Sequence, residues 1–209
     1  DRAKNTIIAK FLEDPNNTDL LMIDSDMSWN IVALLKMLTF PEEIVVGSYP
    51  MKNNWTQFTS TPKVTKSEDG KIDTIGRKLP DGGVILEGGD LAGGFMLLKR
   101  PALEAYKAHY KDFVYQDVGA DPGVPDRVYT EFFCCERFGP PGEVPKRWGE
   151  DRVFSRRLAA MGMKWWIYAD IQFGHYGVTG FHGNFQDYLM SDKGKPDSPQ
   201  PATQPAVQG

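Results

Sequence analysis

Four apolar residues, Leu20-Leu21-Met22-Ile23, stop abruptly at Asp24-Ser25-Asp26. A run that short is too brief for a helix of its own and reads as a strand buried on both faces. On an extended backbone residues i and i+2 project to the same side, so Asp24 and Asp26 are expected to face one ligand together. Two converging carboxylates repel unless a cation or hydrogen-bond donors hold both ionised. A hard divalent ion with oxygen ligands, Mg²⁺ or Mn²⁺, is the natural partner, and such ions usually bind substrate phosphates as well. In open α/β sheets ligands sit in the crevice beyond the carboxyl ends of strands. The competing reading is an acidic turn in which one aspartate caps the next helix, and this pattern alone leaves both open.

Periodicity around that stretch predicts an α/β chain. Ile7, Ile8, Phe11 and Leu12 give a helix over 1–13, broken by Asp14-Pro15. Ile31, Leu34, Leu35 and Leu38 give a second helix over 30–38, with those four residues as its buried face. Ile44-Val45-Val46 is a second short strand, and the β-α-β alternation predicts a parallel sheet with right-handed crossovers. Further on, short strands are expected over 72–79 and 84–86 around the turn Pro80-Asp81-Gly82-Gly83, then over 95–98, 132–135 and 164–168. Helices are expected over 102–111, behind Pro101, and over 151–161, stopped by Gly162. Residues 63–71 read as polar and exposed, and 117–126 and 139–149 as loops. One domain over 1–190 accounts for all of this. The Pro-, Gln- and Ser-rich stretch 191–209 has almost no apolar content and is expected to be a disordered tail.

Charge and composition narrow the partners. At 209 residues, with 41% apolar and 25% charged, the chain is long enough for one domain with a sizeable core. A net charge of −4 argues against nucleic acid or an anionic membrane as partner. No apolar run approaches the about 20 residues that span a bilayer, and no signal-peptide pattern opens the sequence. Cys134 and Cys135 are adjacent, ill placed to staple distant parts of a fold, and have no zinc spacing. The cytoplasm is the expected compartment.

Three more stretches carry chemistry. Gly88-Gly89-Asp90-Leu91-Ala92-Gly93-Gly94 is a glycine-rich lead into a strand, where backbone can approach a ligand closely or simply bend. Trp148-Gly149-Glu150-Asp151 opens a helix; a carboxylate there either caps it or serves as a base for an acceptor hydroxyl, with Trp148 offering a face to a sugar ring. His175, in Phe173-Gly174-His175-Tyr176-Gly177, is either a metal ligand or a structural histidine, with His182 as its competitor. His109 falls on a polar helix and is expected in solvent.

In this order the stretches resemble the GT-A fold glycosyltransferases, of the family-2-like bacterial and phage type. The likeness covers most of 1–176: a D-x-D motif at Asp24 and Asp26, the glycine loop at Gly93-Gly94, an x-E-D motif at Glu150-Asp151 and a late histidine, His175. Connecting phrases also match, in Arg2-Ala3-Lys4-Asn5, Gly47-Ser48-Tyr49-Pro50-Met51-Lys52 and Gly94-Phe95-Met96-Leu97-Leu98-Lys99-Arg100. The resemblance implies a Rossmann-like, mostly parallel sheet flanked by helices, from which the family's first strand is missing, so that the sequence reads as N-terminally truncated. It implies Mn²⁺ or Mg²⁺ on Asp26, Asp24 and His175, with Asp24, Ser25, Asp26, Arg2 and Asn5 around a nucleotide-sugar donor. Asp151 would be the base, with Glu150 beside it, and Gly93, Gly94 and Trp148 would shape the acceptor side. The acceptor itself, whether glycan, protein or small molecule, is not named by the sequence. The reaction expected is transfer of a sugar to an acceptor hydroxyl, with inversion if Asp151 directs a direct attack. A nucleotidyltransferase and a non-catalytic nucleotide- or sugar-binding module are the alternatives, since function belongs to the site and not to the fold.

Overall fold

The computed structural model describes residues 1–52, 54–66, 72–117, 126–140, 142–178 and 180–191. The tail expected from 192 onward, most of the loop expected over 117–126, and 67–71 lie outside the described residues.

Second from one edge of the main sheet lies the strand Phe95–Lys99, whose first four residues are all buried. Asp19–Ile23 runs antiparallel on one side of it, with Ile23 opposite Phe95, and Ile44–Gly47 runs antiparallel on the other, with Val45 opposite Leu97. Trp166–Tyr168 lies parallel to Ile44–Gly47, then Val84–Asp90 lies antiparallel to Trp166–Tyr168. Thr61–Pro62 and Gly76–Lys78 both pair antiparallel with Val84–Asp90 and complete the sheet. This corrects the expected mostly parallel, Rossmann-like sheet flanked by helices: the sheet is mixed, and only one of its described pairings is parallel. Asp19–Ile23 and Ile44–Gly47 do point the same way, but Phe95–Lys99 inserts between them. A run of four apolar residues reports burial on both faces and carries no sign of its neighbour's direction.

Helices cover both faces of the sheet. Helix α1 (Arg2–Glu13) buries Ile8 and Phe11, one turn apart, against Met96, Leu98 and the Tyr106 side of α3 (Arg100–His109). The same core takes Phe154 and Leu158 of α4 (Glu150–Ala160) and Phe185 of α5 (Phe185–Met190). The opposite core holds Val45, Ile85, Phe95 and Leu97 together with Ala33 and Met37 of α2 (Ile31–Met37). Asn30 starts α2 by accepting a hydrogen bond from the Val32 N–H at 2.8 Å. The face of α2 differs from the one its apolar residues suggest. Ala33 and Met37 point inward, while Ile31, Leu35 and Leu38 are exposed. The helix is apolar nearly all round, so periodicity alone could not choose its buried side.

Two further corrections concern short strands. Residues 132–135 form a bend, and the strand lies just after them, Glu136–Phe138, pairing with Lys146–Trp148 inside the stretch expected to be a loop. Beyond the last strand of the main sheet, Gln172–Tyr176 and Gly180–Asn184 form a hairpin, and Met27–Ser28 adds a third strand to it. No described helix is long and apolar enough to cross a membrane.

Candidate metal and acceptor site

The edge strand Asp19–Ile23 delivers Asp24 and Asp26 into a tight turn. Extended structure ends at Ile23, and the Met27 N–H donates back to the Asp24 carbonyl at 3.3 Å. The i, i+2 argument for a shared face therefore fails, because it holds only on an extended backbone. The turn gives each carboxylate its own neighbours and leaves Ser25 exposed at its tip. Asp24 is anchored by its N–H, which donates to the Gly94 carbonyl at 2.9 Å. Its side chain lies close to Gly94, where a Cβ would come within 3.0 Å of Asp24 Oδ2 and would overlap the Tyr49 hydroxyl.

Asp26 faces His175. The hairpin strand Gln172–Tyr176 sets His175 opposite Met27, and the Tyr176 N–H donates to the Asp26 carbonyl at 2.9 Å. His175 Nδ1 lies 2.8 Å from the Pro50 carbonyl. A carbonyl only accepts, so Nδ1 carries a proton, and in the neutral ring the lone pair lies on Nε2. Nε2 stands 3.8 Å from Asp26 Oδ1, a buried oxygen with no hydrogen-bond partner. Oδ2 of the same carboxylate pairs with the Lys52 ammonium, which holds Asp26 below the usual carboxylate range even though burial opposes it. A histidine whose far nitrogen is tied to a carbonyl, beside an unpartnered carboxylate oxygen, is the donor set a divalent ion uses. Among the described residues no three His, Cys, Asp or Glu cluster tightly enough to enclose an ion on their own. Two protein ligands fit Mg²⁺ or Mn²⁺, which keep positions for water and phosphate oxygens.

Tyr49 joins this corner to the second one. Its ring meets His175 edge-on at 4.9 Å, and its hydroxyl accepts a hydrogen bond from the Gly94 N–H at 3.1 Å. Burial, reinforced by the negative charges of Asp24 and Asp151, pushes the Tyr49 hydroxyl up to about 12, so it stays protonated. On the far side of the glycine loop a Cβ at Gly93 would overlap Asp151 Oδ1, so only glycine lets that carboxylate lie against the loop. Lys4 of α1 holds it there, with Nζ 2.9 Å from Asp151 Oδ1 and 2.7 Å from Glu150 Oε1. Burial works against the Lys4 charge, but the two carboxylates outweigh it and raise its pKa. Glu150 is pushed up by burial and drawn down further by Lys4, ending below its ordinary value. Glu150, Asp151 and Tyr49 line a cleft of about 500 Å³ together with Asp90, Arg152 and Met51. Arg152 closes one edge through an ion pair with Asp90 at 3.0 Å.

Three expected donor or acceptor residues are occupied elsewhere. Asn5 is buried, donates to the Phe133 carbonyl at 2.9 Å and accepts from the Phe133 N–H at 2.8 Å, so it locks α1 to the 132–135 bend. Arg2 grips both oxygens of Asp117, at 2.9 and 2.7 Å. Trp148 packs on Phe138 and carries the Arg156 guanidinium over its ring at 3.6 Å, which covers the face expected to meet a sugar. Conversely Lys4, Tyr49 and Lys52 went unassigned, although all three stand in the phrases Arg2-Ala3-Lys4-Asn5 and Gly47-Ser48-Tyr49-Pro50-Met51-Lys52. His182 lies opposite Gly174 in the hairpin, with its ring against Tyr176, away from the Asp26 oxygen.

No family model matches the chain, and no curated protein matches it. Among solved structures it is similar to the crystal structure of A197 from STIV, at 14% identity and a TM-score of 0.42, over 83% of this chain and 65% of that one. The chain thus spans just under two thirds of that protein's length.

Proposed function

We propose that the protein is a metal-dependent glycosyltransferase, moving a sugar from a nucleotide-sugar donor to an acceptor hydroxyl with inversion. The observation that carries this reading is the pair formed by the unpartnered, buried Asp26 Oδ1 and the free Nε2 of His175, 3.8 Å apart. Asp26 and His175 would hold Mn²⁺ or Mg²⁺, with Asp24 at the start of the same turn. When bound there, the ion would supply Lewis-acid neutralisation of charge on the departing nucleoside diphosphate. Lys52, which pairs with Asp26, is a cation placed to turn toward a phosphate oxygen once that carboxylate has another partner. Asp151 takes the proton of an acceptor hydroxyl held in the cleft, and Lys4 fixes the carboxylate's orientation. Gly93 and Gly94 bring the two halves together, because any side chain on the loop would separate Asp151 from Tyr49 and Asp24. Both cysteines are free thiols, which suits an enzyme of the cytoplasm.

Calorimetric titration of nucleoside diphosphates with and without Mn²⁺ tests the assignment. Wild-type protein should bind one of them in a Mn²⁺-dependent way. Asp26→Asn and His175→Ala should each weaken that binding at least tenfold, since losing even an outer-shell partner of a metal ligand costs about 10–100-fold. Circular dichroism should be unchanged in Asp26→Asn, which loses only the partly exposed ion pair with Lys52. Binding that is indifferent to Mn²⁺, or equal in both variants and wild type, would sink the reading.

A further inference from the structure

We propose that the acceptor is amphipathic, and that its alkyl chain lies in an apolar groove that opens from the catalytic cleft; this rests on the glycosyl-transfer reading above. The groove has a volume of about 630 Å³, within the range of small-molecule sites. Its floor is Phe58, Val84 and Leu86, and one wall is Phe185, Tyr188 and Leu189 of α5. The other wall is the hairpin of Val64–Lys66 and Ile72–Thr74, which contributes Val64 and Ile72. Met51 and Thr61 line both this groove and the cleft that holds Glu150 and Asp151, so the two spaces meet at those residues. One end is thus charged and offers a base, and the other is walled largely by carbon. An acceptor that fills both carries a hydroxyl-bearing head and an apolar tail.

The rim of the groove presents apolar side chains to water: Val64 is 57% exposed, Ile72 48% and Met190 80%. Residues 192–209 do not supply a matching filler. After Ser191 the sequence brings only Ala202, Ala206 and Val207 besides its prolines. An alkyl chain matches the groove better, each buried methylene strengthening binding about fourfold.

n-Octyl β-D-glucoside, held below its micelle concentration, and methyl β-D-glucoside present one head with and without a chain. Calorimetric titration of the full chain should show the octyl compound binding at least tenfold more tightly. Val64→Glu combined with Ile72→Glu should remove that preference by placing two carboxylates along the groove. Both positions are exposed, so the double variant should keep its melting temperature and its Mn²⁺-dependent binding of a nucleoside diphosphate. Equal binding of the two glucosides overturns the proposal, and so does an octyl preference that survives both substitutions. Self-association that the double variant abolishes, with no octyl preference, gives the groove to a second copy and overturns it as well. An octyl preference lost in the double variant, in a protein that binds no nucleoside diphosphate, upholds the groove and removes the glycosyltransferase reading.

Discussion

Asp151 is where the proposed chemistry is most exposed to test. Its carboxylate does not cap its helix by a side-chain hydrogen bond; it reaches Lys4 and the glycine loop instead. That contact sets aside the capping reading, because a cap would turn back onto the N–H groups of the first helical turn. Asp151→Asn keeps the volume but cannot take up a proton. Metal-dependent turnover of whichever nucleotide sugar binds should fall about 10²–10⁴-fold, with donor affinity nearly unchanged. Turnover within a few-fold of wild type would move the base to Glu150 or remove it from the mechanism. At this scale the sequence was poor about which partners each candidate residue meets. The meeting of Asp26 with His175 joins positions far apart in sequence through a hairpin; it was implied only by the resemblance, and nothing local in either stretch announces it. Asn5 and Arg2 misled for the opposite reason: polar side chains near a motif look available until the tertiary fold hands them Phe133 and Asp117.

The elements legible in advance were those with strong periodicity or continuous apolar runs, such as α1, α4 and Phe95–Lys99. The hairpin that carries His175 was not among them. Gln172–Tyr176 contains one aliphatic or aromatic residue that is fully buried, Phe173, and its pairing with Met27–Ser28 depends on a turn whose shape is set elsewhere. Val84–Asp90 was legible only in its apolar first half. Its fourth residue, Glu87, is buried between Lys63 at 2.8 Å and Lys164 at 3.0 Å. Those ammonium groups, Lys63 first, hold the Glu87 carboxyl below the usual glutamate range although burial opposes it. A depressed folded-state value means a contribution to stability that is full above the unfolded glutamate value and is lost as pH falls through the folded one. Glu87→Gln should therefore cost about 1 kcal/mol at neutral pH, modest because both lysines are largely in water. The gap between variant and wild type should close in acid. Urea titrations at neutral and acid pH check this, and a gap that stays constant with pH would show that Glu87 contributes by packing alone.

Across the whole molecule the sequence conveyed two-sided burial but not strand direction. Sheets buried on both faces read the same whether their neighbours run parallel or antiparallel, and β-α-β alternation suggested neighbours where the chain inserts a third strand. That third strand, Phe95–Lys99, contributes to both cores. Leu97 packs into the core shared with α2, and Leu98 into the core shared with α1 and α3, and both are essentially inaccessible to water. The strand also delivers Gly94 to Asp24 at its start and takes up Lys99 opposite Asp19 at its end. Both cores therefore share this backbone, as they share Ile44–Gly47 and Val84–Asp90, and each of these strands is hydrogen-bonded on both edges. Leu97→Ala and Leu98→Ala should each cost about 2–5 kcal/mol, the usual range for a buried leucine truncated to a cavity. Each should lower one and the same cooperative transition, followed in parallel by near-ultraviolet and far-ultraviolet circular dichroism. A melt that splits in two, with one substitution moving only the first step and the other only the second, would show the two cores to be independent and would refute the coupling assigned to the strands they share.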